Sequence, residues 1–176
     1  MYFGGIRMLK VGLCWQGSPA FSGDRLRSIA LRHYTALAGI PDVCFVSLQK
    51  EHGLEQLAAV AGSLPLIDLS GRLNDFQDTA AVMLNLDLVI TSDTSVAHLA
   101  GALGVPVWMA LKLAPDWRWL LDRTDSPWYP TMRLFRQTEF FDWPGVFERI
   151  ASELQREADS YRTALNQVEE SALKSS

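Results

Sequence analysis

Six short apolar runs limit what this chain can fold into. Residues 10–15, 43–48, 66–69, 86–91, 105–110 and 132–135 are apolar almost throughout, rather than alternating apolar with polar. A run of that kind reads as a strand covered on both faces. Helical patterns over 29–38, 54–61 and 75–86, and another opening near Ser95, fall between the runs. Strand and helix in alternation predict an α/β fold: one doubly wound, Rossmann-like parallel sheet of about six strands. Right-handed crossovers leave few other topologies. A chain of 176 residues suits a single domain, here read as residues 1–145.

The remainder, 146–176, is read as a C-terminal amphipathic helix and tail. Apolar residues recur there at Val146, Ile150, Leu154, Ala158, Tyr161, Leu165 and Val168, the spacing of one helical face. The stripe is longer than one small sheet needs. Either the helix docks and its end frays, or its outer half packs on another chain, as in a homo-oligomer.

Charge and composition exclude several classes. A net charge of −4 with both signs interspersed does not suggest a nucleic-acid or membrane surface. No apolar run is long enough to span a bilayer. The first twelve residues lack the apolar core and cleavage site of a signal peptide, so a cytoplasmic protein is expected. Cys14 and Cys44 lie in strand-like runs and read as reduced core thiols. No spacing of Cys, His or Asp reads as a metal site, and no cofactor or metal is expected. Twelve of the sixteen basic residues are Arg, the side chain suited to bidentate grip on phosphate.

Ligands of open α/β sheets bind beyond the carboxyl ends of the strands, at a topological switch point. Those ends carry Gln16-Gly-Ser18, Ser47-Leu-Gln49, Asp68-Leu-Ser70 and Ser92-Asp-Thr-Ser95. At the last of them, Asp93 or Thr94 caps a helix whose first amides lack intrahelical partners. The result is an anion site reinforced by the helix dipole. Beside a phosphate, Asp93 suits sugar hydroxyls better than it suits the phosphate itself. His98, one turn in, reads either as a satisfied core histidine or as a second ligand to the same group. The loop 16–28 brings Gly17 and Ser18 close to any ligand and offers Arg25 and Arg27 to a diphosphate. No dinucleotide fingerprint, phosphate loop or nucleophile elbow occurs.

Ser92-Asp-Thr-Ser-Val-Ala-His98 resembles the aspartate–threonine–histidine segment of the heptosyltransferases, which have the GT-B fold. Cys14-Trp-Gln-Gly-Ser18, Asp24-Arg-Leu-Arg-Ser28, Phe45-Val-Ser-Leu-Gln49, Asp75-Phe-Gln-Asp-Thr-Ala80, Pro115-Asp-Trp-Arg-Trp119 and 126–137 extend the match in order. The set looks like the glycosyltransferase-like half that follows tetratricopeptide repeats in many bacterial proteins. It covers roughly residues 10–155. The resemblance implies one half of a GT-B fold, holding a nucleotide-diphospho-sugar donor without metal. It places Gln16, Gly17 and Ser18 at the phosphates and Arg27 at the place of a basic donor-binding residue, with Thr94 and Ser95 offering amides and Asp93 meeting the sugar. Gln49 falls near the ribose, and Leu73, Asn74 and Phe76 fall at the base. Trp117, Trp119, Trp128 and Tyr129 match an aromatic cluster of the family, although loop and core packing would use such residues equally well.

The resemblance also implies something this stretch lacks. In GT-B enzymes the acceptor and the base that deprotonates it come from a second, N-terminal domain. Either a partner supplies that half, or the chain is part of a longer protein, or the domain has lost catalysis. In the last case it would be a binding or assembly module. No residue here reads as the base. His98 is cast instead as an electrostatic stabiliser of the leaving diphosphate.

Overall fold

The computed structural model describes residues 8–174. The signal-peptide reading of residues 1–7 and the last two residues of the tail lie outside them. Six strands form one sheet: β1 (Leu9–Cys14), β2 (Val43–Ser47), β3 (Leu66–Asp68), β4 (Leu88–Ser92), β5 (Val107–Leu111) and β6 (Met132–Arg136). Their order is β3-β2-β1-β4-β5-β6, and every pairing is parallel. The helices are α1 (Asp24–Arg27), α2 (Leu57–Val60), α3 (Phe76–Met83), α4 (Ser95–Ala102) and α5 (Trp143–Lys174). The predicted doubly wound sheet of six strands is the sheet that forms.

Successive strand residues face opposite sides, so the apolar runs feed two cores. Leu9, Val11, Leu13, Phe45, Ile90 and Trp108 pack on one face against α5 and a 3₁₀ segment, Leu31–Leu37. Val46, Val89, Val107 and Met109 pack on the other face against α3 and α4. Gly12 lets this second core close: a Cβ there would lie 2.6 Å from Leu86 Cδ1 and 2.7 Å from Leu48 Cδ1.

The helix predicted over 29–38 is a 3₁₀ helix. Leu31, Tyr34 and Leu37, all fully buried, recur every third residue, the period of that tighter helix. Tyr34 lies 4.3 Å from Phe147 on α5, centroid to centroid, and donates to the Cys14 carbonyl at 2.9 Å. The helix read over 54–61 is likewise shorter, a 3₁₀ turn leading into the four residues of α2. Both cysteines are free thiols, Cys14 buried and Cys44 half-buried.

The 32 residues of α5 extend roughly 48 Å at 1.5 Å each. Val146, Phe147, Ile150, Leu154 and Ala158 are buried in the first core, so this half of the helix is part of the domain. Beyond Ala158 the stripe leaves the sheet. Tyr161 and Leu165 are half-buried, and Val168 is 67% exposed. Arg162 ties the helix back to Asp42 at 3.2 Å. Among the described residues no helix is long and apolar enough to cross a membrane.

Two consequences can be measured by urea unfolding. Leu154→Ala should cost about 2–5 kcal/mol through the cavity it leaves, and Val168→Ala less than about 0.5 kcal/mol. A large loss at Val168 would mean that the outer stripe is covered. Gly101→Ala should destabilise although it sits in α4. The gain in helix propensity is about 0.5–1 kcal/mol. The new Cβ, however, would lie 2.6 Å from Tyr129 Cγ, and overpacking of that kind costs about 1–3 kcal/mol.

Candidate functional site

The strand order reverses between β1 and β4, whose carboxyl ends open side by side. A cavity of about 520 Å³ lies there, bounded by the ends of β1 and β2 and by the first turns of α3 and α4. A larger depression of about 670 Å³ follows β3 and α2, but its lining is apolar and its one charged residue is Asp68. Such a lining does not suit an anion; the polar and charged groups gather instead at the switch point.

The two helices that face the cavity begin differently. Asp75 caps α3, accepting from the Gln77 and Asp78 amides at 2.8 and 2.9 Å. No side chain caps α4. Thr94 is its N-cap residue, but the buried hydroxyl turns to Thr91 Oγ1 at 3.4 Å and Cys14 Sγ at 3.9 Å. The first amides of α4 are therefore left for a ligand, and Thr94, Ser95 and Val96 line the cavity.

Beside this helix end stands Arg27, held from three sides. Its Nε donates to Asp24 Oδ1 at 3.1 Å, its Nη1 donates to the Asp93 carbonyl at 2.9 Å, and its plane lies 4.4 Å from the Phe21 centroid. Asp24, 5% exposed, also accepts from Ser28 Oγ at 2.8 Å, and Ser28 Oγ in turn accepts from the Gly17 amide at 3.0 Å. Gly17 is required by closeness: a Cβ would lie 2.6 Å from both Arg27 Nη2 and Asp24 Oδ1. One cation is thereby fixed beside the uncapped end of α4, tied to the residue that precedes its N-cap.

Gln49 has its side-chain amide engaged within the chain. Its Oε1 accepts from the Trp15 and Gln16 amides, each at 3.0 Å, while Nε2 donates to the Gln16 and His52 carbonyls at 2.9 and 2.7 Å. An amide has two donor protons and two acceptor lone pairs, and all four are taken. Gln49 clamps the loops after β1 and β2 together, and Trp15 Nε1, donating to the Gly53 carbonyl at 3.1 Å, reinforces the join. The groups that this clamp presents to the cavity are Lys50, Glu51 and His52. Glu51 stands in the left-handed region at φ 63°, a conformation uncommon outside glycine and often found at binding sites.

Of the residues singled out in the sequence, Gln16, Gly17, Ser18, Arg27, Gln49, Phe76, Thr94 and Ser95 line this cavity. The others do not. Arg25 is exposed, about half a turn round α1 from Arg27. Leu73 is 2% exposed within the second core. Asn74 is engaged with Asp78, whose Oδ2 accepts from both its backbone and its side-chain N, holding that carboxyl below its usual range. Asp93 contributes its carbonyl to Arg27.

His98 stacks on Trp119 with centroids 5.3 Å apart, and its Nδ1 is 3.0 Å from Tyr129 Oη. Burial pushes its pKa down, against the pull of Asp93. Its ring is thus held by aromatic neighbours, and it is not among the residues that line the cavity. Cys14, at the cavity floor, has its thiol pushed up to about 11 by burial and is no nucleophile. Among the described residues no group of His, Cys, Asp or Glu is placed to hold a metal ion.

Sequence reasoning passed over Asp24 and Glu51 as site residues. The first had a signal, an acid three residues before Arg27; the second had none beyond its place after β2.

The sequence model of Glycosyltransferase family 9 (heptosyltransferase) matches residues 32–109. Protein FlbA of Caulobacter vibrioides is 33% identical over 154 residues, which are 83% of this chain and 25% of FlbA. Among solved structures, E. coli ADP-heptose lps heptosyltransferase II superposes with a TM-score of 0.61 at 16% identity, over 86% of this chain and 48% of that one. E. coli heptosyltransferase WaaC, solved with ADP, gives 0.57 at 15% identity, over 85% and 45%. The chain thus spans about a quarter of FlbA and about half of each heptosyltransferase, whose fold over that half it shares. The likeness to Glycosyltransferase family 9 (heptosyltransferase) thus runs from the 3₁₀ segment before β2 into β5.

Proposed function

We propose that the cavity at the switch point binds the diphosphate of a nucleotide-sugar donor, making this domain the donor half of a glycosyltransferase. The observation that carries the reading is the pairing of Arg27, fixed by Asp24, with the uncapped end of α4. A diphosphate has the two negative groups that can engage the guanidinium and the neighbouring helix amides at once. The cavity volume of about 520 Å³ is that of a small-molecule site. Phe76, 62% exposed at the rim, offers a flat face for a base, and Glu51 offers a carboxylate to a ribose diol. The solved complexes of WaaC with ADP and with ADP-2-deoxy-2-fluoro heptose support the choice of ligand class.

This reading confines the chain's part to holding and orienting the donor. The acceptor, and the base that removes its hydroxyl proton, belong to a second lobe, in line with the share of each heptosyltransferase that the chain spans. Helix amides and Arg27 are expected to provide the positive field for the leaving diphosphate, with no metal required.

Calorimetry against UDP, GDP, ADP and their sugars tests this. At least one should bind, and Arg27→Ala should weaken it about tenfold or more, the worth of a charge-assisted hydrogen bond. Gly17→Ala should weaken it too, by displacing the guanidinium, whereas Arg25→Ala should change nothing. Asp24→Asn should lower affinity while leaving the folded chain intact, because it loosens Arg27 without emptying the site. No heat with any nucleotide would defeat the proposal.

A further inference from the structure

The connection from β5 to β6, residues 112–131, contains only one 3₁₀ turn, Trp117–Trp119. Irregular loops of that length are uncommon in compact domains and are mostly functional. This one is fastened from beneath. Trp119 is fully buried against His98. Arg136 donates to the carbonyls of Arg123 and Trp119. Ser126 Oγ, itself buried, accepts from the Trp128 and Tyr129 amides at 3.2 and 3.3 Å. Leu120 stands in the left-handed region at φ 52°. A strained, anchored loop of this kind is built to present something.

What it presents is a pair of tryptophans. Trp117 is 70% exposed and Trp128 is 57% exposed. Their rings meet edge to face, with centroids 6.5 Å apart and planes at 87°, so they form a step with open flat surface. Trp128 does not rotate freely, because its Nε1 donates to the Arg118 carbonyl at 2.9 Å. Arg118 lies 5.2 Å from the Trp117 centroid and pairs with Asp116 at 2.8 Å. Aromatic faces set rigidly beside one acid and one base match a sugar ring, which has an apolar C–H face and a rim of hydroxyls. The platform is tied to the helix that opens on the cavity. Trp119, in the same 3₁₀ turn as Trp117, stacks on His98 of α4, and Thr94, Ser95 and Val96 at the start of that helix line the cavity.

We infer that Trp117 and Trp128, with Asp116 and Arg118, form a subsite that stacks a pyranose ring at the strand ends beyond α4. The ring comes either from the donor's own glycosyl group or from a glycan acceptor. The assignment rests on the reading of the neighbouring cavity as a nucleotide-sugar site, and the experiment separates the two.

The indole N–H resonances of the six tryptophans report on the subsite in ¹⁵N-labelled chain. The probes are methyl glycosides of glucose, galactose, mannose and N-acetylglucosamine, then UDP, GDP and ADP, then the corresponding nucleotide sugars. Shifts of Trp117 and Trp128 with a methyl glycoside alone identify an acceptor ring. Shifts with a nucleotide sugar but not with its diphosphate identify the donor's ring. In either case Trp117→Ala or Trp128→Ala should weaken the sugar-dependent binding about tenfold, and Trp128→Phe less, with nucleoside diphosphate affinity unchanged.

The subsite is overturned if nucleoside diphosphates bind yet no sugar moves either indole, or if the alanine variants bind sugars as the parent does. It is equally overturned if the variants alter only self-association in sedimentation, which would mark a protein contact. Glycosides that shift the indoles while no nucleotide binds would leave the platform standing and remove the donor reading.

Discussion

The parallel pairing of β1 with β4 is the constraint on which the rest depends. These strands are neighbours in the sheet but lie more than seventy residues apart in sequence, and they sit where the strand order turns back. The loops leaving their carboxyl ends cannot cover one another, so a crevice opens between them. Into it the chain brings a glycine-containing turn from one side and a helix start from the other. The buried threonines along β4 and α4, Thr91 and Thr94, bond to one another and leave the helix amides exposed to the crevice.

Much of the fold was legible because burial on both faces leaves a plain mark, a run without alternation. The strands ended one or two residues from where apolar character alone put them. Ser92 and Ser47 are polar but fully buried strand residues, and Trp15 continues an apolar run after the ladder has stopped. The 3₁₀ segment was the main misreading. Its buried residues at every third position resemble a helical face, and only the absence of an i+4 partner sets the tighter winding apart.

The candidate site was legible as a set of strand ends, and less so residue by residue. Arg25 and Arg27 look alike in sequence, yet α1 turns only one of them inward. Leu73 and Phe76 are both apolar and three residues apart; the first completes a core and the second stands at the rim. His98 lies one turn into α4 in sequence, but the rings it meets, Trp119 and Tyr129, are supplied by the connection from β5 to β6. Sequence neighbours decide secondary structure, whereas the protonation and direction of a side chain are decided by partners that only the fold brings near.

The saturated amide of Gln49 has a consequence for binding. Because both faces of that amide, acceptor and donor, are engaged within the chain, the loops beyond β1 and β2 are already joined to one another. An incoming ligand meets a finished wall and gives up little chain entropy in forming the complex. These two loops need no ordering step of their own before a ligand can settle against them.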